Sequence, residues 1–248
     1  MDIVGIIPSR YHSSRFPGKP LADILGFPMI WWVYQQAKKV KELNKGVYVA
    51  TDDIRIEEVC KQYNIPVIMT DKKHTNGSER LCEVAKNLIS DIYVTIQGDE
   101  PLLEPKTISE VLKVLVIDEK VGCATLKIAY KNPIDVINKT TPKVVTDLND
   151  NILLFTRAAV PYPKADLNYT IYKPIGVYAF RRETLLKYNN LQKGPLEKAE
   201  DIELLRFIEN GIKVKIGLTD SETVAVDTPK DLDRVIEILK NKREECLW

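Results

Sequence analysis

Over the first 120 or so residues, short unbroken apolar runs alternate with segments whose apolar residues recur at helical spacing. Few folds accommodate that order. Residues 3–8 form a continuous apolar run closed by Pro8, the pattern of a strand covered on both faces. Ile30, Val33, Tyr34, Ala37 and Val40 then fall on one helical stripe, behind Pro28 at a position where a first turn tolerates proline. A second strand at residues 47–50 runs into Thr51, Asp52 and Asp53, residues suited to cap a helix carrying Ile56, Val59, Cys60 and Tyr63 on one face. Residues 67–69 read as a third strand, Leu81, Val84, Ala85 and Leu88 as a third helical stripe, and residues 92–96 as a β-branched strand. Strand and helix in that rhythm predict βαβ units: a Rossmann-like, mainly parallel sheet with helices on both faces.

From about residue 121 the texture changes. Residues 123–128, 143–146, 152–155 and 175–180 are strand-like runs separated by loops rich in Pro and Asn, with few helices expected before 195–210. The stretch 121–195 therefore reads as a smaller mixed or antiparallel insertion, a lid or dimerisation lobe, within one domain spanning 1–248. The chain returns with a strand near 213–217 and a helix at 229–240.

Composition narrows the function classes. Lys and Arg total 36 against 35 Asp and Glu, so no broad basic face for nucleic acid is expected. The four cysteines are scattered, with no CxxC pair, which points to neither a disulfide framework nor a zinc site. Only two histidines exist, His12 and His74, each without a second ligand nearby in sequence. No apolar run is long enough for membrane insertion, and a reducing cytoplasm is the expected compartment. Trp31 and Trp32, at a helix start, are read as packing residues, Met29 and Met69 as core or near-core fillers, and Cys246 as part of a fraying terminus.

Ligands of open parallel sheets bind beyond the carboxyl ends of the strands. Three such ends carry polar clusters here. Residues 8–21, P-S-R-Y-H-S-S-R-F-P-G-K-P-L, place Arg10, Arg15 and Lys19 within ten residues, with Gly18 able to bring backbone amides close to an anion. Guanidinium forks and a compact ammonium suit a triphosphate, although the Walker spacing is absent. Such a loop could also be a solvated basic turn. The second cluster, I-Q-G-D-E-P at 96–101, puts Asp99 where a carboxylate can reach Mg²⁺ bridging nucleotide phosphates. The third, V-D-T-P-K-D-L at 226–232, offers Asp227 as a second carboxylate, with helix capping ahead of Pro229 as the competing role.

Taken in order, the motifs resemble the 3-deoxy-manno-octulosonate (Kdo) cytidylyltransferase family nearly end to end. The resemblance rests on S-R-x-x-S-S-R-F-P-G-K-P-L, V-A-T-D-D from Val49, Q-G-D-E-P from Gln97 and P-K-V-V-x-D from Pro142. It continues through F-T-R-A-A-V-P-Y from Phe155, I-G-V-Y-A-F-R from Ile175, E-N-G-I from Glu209 and V-D-T-P-x-D-L from Val226. Sialic-acid cytidylyltransferases share the opening loop more loosely. The resemblance implies transfer of CMP from CTP to the anomeric hydroxyl of Kdo, for lipopolysaccharide or capsule biosynthesis. It implies Arg10, Ser14, Arg15 and Lys19 on the CTP phosphates; Gly77, Ser78 and Arg80 at the cytosine and ribose; and Asp99 and Asp227 on Mg²⁺. Gln97, Arg157, Tyr178 and Glu203 fall in segments that contact the sugar acid, and a homodimer is implied.

Three positions depart from the family pattern. Pro174 replaces a His, Leu204 a Gln, and Glu79 an Asp. The first two changes are expected to remove hydrogen-bond partners from the acceptor pocket, so the acceptor is Kdo or an altered relative: 8-amino-Kdo, another 2-keto-3-deoxy sugar acid, or a phosphonate. A nucleotide-binding regulator on the same fold is the non-enzymatic alternative.

Overall fold

A computed structural model describes residues 1–12, 15–166 and 168–245. Ser14 and Cys246 lie outside the described residues. In chain order the elements are β1 (Ile3–Ser9), β2 (Asp23–Ile24), β3 (Phe27–Pro28), α1 (Met29–Ala37), β4 (Val47–Thr51), α2 (Ile54–Gln62), β5 (Val67–Met69) and α3 (Gly77–Asn87). They continue with β6 (Ile92–Ile96), α4 (Pro105–Ile117), β7 (Cys123–Ala129), β8 (Lys143–Thr146), β9 (Ile152–Thr156) and β10 (Tyr172–Arg181). The chain closes with α5 (Arg182–Lys187), α6 (Pro195–Glu200), α7 (Leu205–Glu209), β11 (Val214–Leu218) and α8 (Pro229–Glu245).

The central sheet runs β11-β7-β10-β6-β1-β4-β5. β1 lies parallel between β4 and β6, and β5 is parallel to β4, as the βαβ rhythm predicts. Every residue of β6 is buried, because helices cover both faces of a central parallel strand. One face packs Val33, Ala37 and Ile108 over Ile7 and Ile96; the other packs Leu81, Ala85 and Phe207 over Ile6 and Tyr93.

β10 is the exception to the parallel order. It lies antiparallel between β6 and β7, with Ala179 opposite both Val94 and Ala124. The run at 175–180 and the run at 123–128 thus belong to the central sheet. Of the stretch 121–195, only the β8–β9 hairpin leaves the main strand path, touching β10 at the Tyr172–Val144 pair. The apolar pattern shows that these runs are strands but not which edge each one joins, and that choice is made by long-range pairing.

The helix expected at 195–210 is two short helices. Asp201, at φ 52° and ψ 52°, takes the left-handed conformation that ends α6, and Asp tolerates it better than a branched residue would. Trp31 stacks on Phe27 with ring centroids 4.1 Å apart, and Trp32 Nε1 donates to the Ile24 carbonyl at 2.9 Å, so both pack as expected. Met29 is fully buried, whereas Met69 at the sheet's edge is exposed. Among the described residues no helix is long and apolar enough to cross a membrane.

Candidate active site

The carboxyl ends of β1 and β6 lie side by side, and the loops leaving them wall a cleft of about 460 Å³. Gly98 allows that approach: a Cβ there would sit 3.0 Å from Ser9 Oγ and 3.1 Å from the Pro8 carbonyl. Arg10, Arg15 and Lys19 from the first loop and Gln97 and Asp99 from the second line the cleft. Asp227 completes it from the segment before α8. The Val226 N–H donates to the Asp99 carbonyl at 2.8 Å and fixes the two aspartates as neighbours although 128 positions separate them in sequence.

Lys19 links the carboxylates. Its Nζ lies 2.6 Å from Asp99 Oδ2 and 3.5 Å from Asp227 Oδ1. Arg15 grips Asp227 with both terminal nitrogens, at 3.0 and 3.2 Å. Capping ahead of Pro229 falls to a different residue: Asp231 accepts from the N–H groups of Asp227 and Thr228. The Asp227 carboxylate is thereby left facing the cleft. Two carboxylates that converge on one ammonium make a hard-oxygen pair of the kind Mg²⁺ uses together with substrate oxygens and water. Among the described residues no group of three or more His, Cys, Asp or Glu is placed to hold a metal ion.

Behind the first loop stands the N-terminus of α3. Arg10 Nη1 donates to the Thr75 carbonyl at 2.7 Å, tying the cationic loop to that segment. Glu203 Oε1 accepts from the Gly77 N–H, and its Oε2 from the Ser78 N–H and hydroxyl, at 2.6 to 3.0 Å. A carboxylate at a helix N-terminus is favoured by orphan donors and dipole alike. Arg80 is wholly buried beneath, bonded through Nη1 to Thr70 Oγ1, with Asp52 3.4 Å from Nη2. Gly77, Ser78, Arg80 and Glu203 therefore form a braced wall and do not line the cleft.

Arg157 and Tyr178 are also outside the lining. Arg157 donates to the carbonyls of Glu200, Lys139 and Thr140, which tie the β9 end to the 138–142 turn. Tyr178 lies on β10 opposite Thr95, and burial followed by the charges of Glu203 and Glu100 raises its phenol above the ordinary range.

Two of the three departures from the family pattern have structural explanations. Leu204 is buried in the core with Phe207, so it removes no donor from the cleft. Glu79 reaches Thr75 through its N–H at 2.8 Å and its hydroxyl at 3.0 Å, and Arg206 at 3.4 Å. Burial opposes the Glu79 charge, but these partners hold its carboxyl below the usual range. Pro174, paired with Lys127 across β10 and β7, remains without a donor in either backbone or side chain.

Sequence reasoning overlooked two acids here. Asp201 lines the cleft, and within the run Glu200, Asp201, Glu203 it is the member not engaged by Thr156, Gly77 or Ser78. Its signal was the helix-breaking position, legible only once the break at 201 is known. Glu100, next to Asp99, is buried, and burial, then the Asp99 charge, pushes its carboxyl up to about 7.

Residues 4–216 match the family described as Cytidylyltransferase. The 3-deoxy-manno-octulosonate cytidylyltransferase of Parabacteroides distasonis is 40% identical over 254 residues, covering 98% of this chain and 100% of the relative. The chain belongs to the 3-deoxy-manno-octulosonate cytidylyltransferase family. A second member of the family, from Geotalea uraniireducens, is 42% identical over 97% of this chain and 100% of its own. Among solved structures, a CMP:2-keto-3-deoxy-manno-octonic acid synthetase complexed with CTP superposes with a TM-score of 0.93 at 37% identity, covering 98% of this chain and 100% of that one. A 4-diphosphocytidyl-2C-methyl-D-erythritol synthase from Anaerococcus prevotii, at 15% identity and a TM-score of 0.64, shares the fold of this family.

Proposed function

We propose that the protein transfers CMP from CTP to the anomeric hydroxyl of Kdo and releases pyrophosphate. The observation that carries this reading is the convergence of Asp99 and Asp227 on Lys19, in a cleft beyond the strand ends that Arg10 and Arg15 also line. The near end-to-end identity to Kdo cytidylyltransferases supports the choice of nucleotide and acceptor.

The acceptor oxygen forms a bond to the α-phosphorus as the bond from that phosphorus to the pyrophosphate oxygen breaks, so the enzyme must align groups and balance charge. Arg10, Arg15 and Lys19 bind the phosphates and stabilise the negative charge gathering on the leaving pyrophosphate. Asp99 and Asp227 would hold Mg²⁺, which when bound neutralises phosphate oxygens and acidifies the attacking hydroxyl. Neither a side-chain nucleophile nor a covalent intermediate is required. Gln97 lines the same cleft and would orient the acceptor.

A pyrophosphate-release assay tests the reading. CTP should support turnover with Kdo, and ATP, GTP and UTP should not. Because Pro174 leaves one donor fewer on β10, the 8-amino analogue belongs in the same assay, with sialic acid as the control acceptor. CTP-dependent release with none of these acids would overturn the function, and preference for the amino sugar would replace the acceptor.

We further propose that two copies pair through the β8–β9 side of the molecule. Ile134, Ile137, Leu148, Leu153 and Tyr162 are all more than half exposed there, an unusual concentration of apolar side chains. Light scattering should give twice the chain mass; the mass of one chain would contradict the pairing.

A further inference from the structure

The cationic loop is pinched shut at its base. The Gly18 N–H donates to the Tyr11 carbonyl at 2.8 Å, tying Gly18 back to Tyr11. Arg10 immediately precedes this closure and Lys19 immediately follows it, so the same pinch sets the positions of both cations in the cleft. Gly18 is at φ 71°, and a Cβ on it would lie 3.3 Å from Cζ and Oη of Tyr11; the ring thus covers the glycine closely.

The Tyr11 ring is also held from α2. The Arg55 guanidinium carbon lies 3.2 Å from the ring centroid. Arg55 is locked by Asp53, which accepts from Arg55 Nε at 2.8 Å, Nη2 at 2.6 Å and the backbone N–H at 3.0 Å. Asp53 is itself the N-cap of α2, directly after β4, and is therefore fixed to the sheet. The hydrogen bond from Arg55 holds the Asp53 carboxyl below its usual range, which keeps the pair charged. A rigid chain of contacts consequently runs from the sheet through Asp53 and Arg55 to Tyr11 and Gly18.

We propose that Tyr11 and Arg55 are positioning residues for CTP, acting by stacking on each other to hold the base of the cationic loop closed with Arg10 and Lys19 presented together. The inference rests on the functional reading above. Neither side chain lines the cleft, so neither is expected to touch the nucleotide. Cation–π contacts and well-set geometry of this kind are worth about tenfold in affinity at a half-exposed site.

Two measurements on the full chain separate the inference from the reading beneath it. Hydrogen exchange at the Gly18 amide reports the closure with no nucleotide present. Tyr11→Leu and Arg55→Met should lose protection there, and Tyr11→Phe should keep it. Calorimetric titration with Mg²⁺ and CTP reports the consequence: Tyr11→Leu should bind about tenfold more weakly, and Arg55→Met about threefold. Tyr11→Phe should match the wild type, and KM for the sugar acid should be unchanged in all three. Unchanged Gly18 exchange in Tyr11→Leu would overturn the clamp, as would unchanged CTP affinity. A Tyr11→Phe variant as impaired as Tyr11→Leu would also overturn it, because the hydroxyl would then be acting directly. A wild-type protein that protects Gly18 but binds no CTP would overturn the functional reading, leaving the clamp as a purely structural device.

Discussion

Asp99→Asn is expected to lower the rate of CTP-dependent pyrophosphate release by roughly a thousandfold or more, because in the proposed mechanism the lost charge would hold the metal against the reacting phosphates. The substitution keeps the shape of the side chain. It converts the 2.6 Å ion pair with Lys19 into a charge–dipole contact with the amide oxygen, and Asp227 still faces the ammonium, so the fold should persist. Thermal unfolding of the variant within a few degrees of wild type, combined with the collapse in turnover, is the expected pair of results. Turnover within tenfold of wild type would remove Asp99 from the chemistry. Asp227→Asn should behave similarly, and the double variant should cost far less than the two losses multiplied, since the carboxylates act on one metal–nucleotide complex.

The second large effect is on stability. Arg206 and Glu197 are each almost wholly buried and meet through two bonds, Nε to Oε2 at 2.8 Å and Nη2 to Oε1 at 2.7 Å. The guanidinium also stands 4.1 Å from the Tyr188 ring centroid and 3.4 Å from Glu79. This cluster holds α6 and α7 around the break at Asp201, and with it the placement of Glu203 on α3. Arg206→Met would strand a buried carboxylate at a cost of about 3–5 kcal/mol. For a chain of this size that corresponds to a fall in Tm of roughly 10 °C. Adding Glu197→Gln to Arg206→Met should recover part of the loss, because the stranded charge goes with it. A fall of less than about 2 °C in the single variant would show that the pair contributes little.

These two sites differ in how far they could be read from sequence. β1, β4 and β6 were legible because each is a short apolar run whose burial demands no polar face, and β5, β6 and β8 fall at the predicted residues. Arg10, Arg15, Lys19 and Asp99 were legible as clusters at strand ends, where the parallel sheet directs a ligand, whereas Asp227 joins them from the irregular segment ahead of α8. What pattern cannot convey is which charged groups the fold consumes. Glu203 is drawn onto Gly77 and Ser78, Arg157 onto three carbonyls, and Arg80 into the interior beside Thr70 and Asp52. Each of these depends on partners from 10 to more than 120 positions away. The place of β10 between β6 and β7, and the break at Asp201, are decided in the same way.

In the proposed mechanism Asp99 and Asp227 serve a single metal–nucleotide complex beneath the cationic loop. The most direct measurement is anomalous diffraction from crystals grown with CTP and Mn²⁺. The predicted result is metal density bonded to both carboxylates and to the triphosphate, with Lys19 and Arg10 on the phosphate oxygens. Metal and nucleotide bound with either aspartate left facing away from them would contradict it.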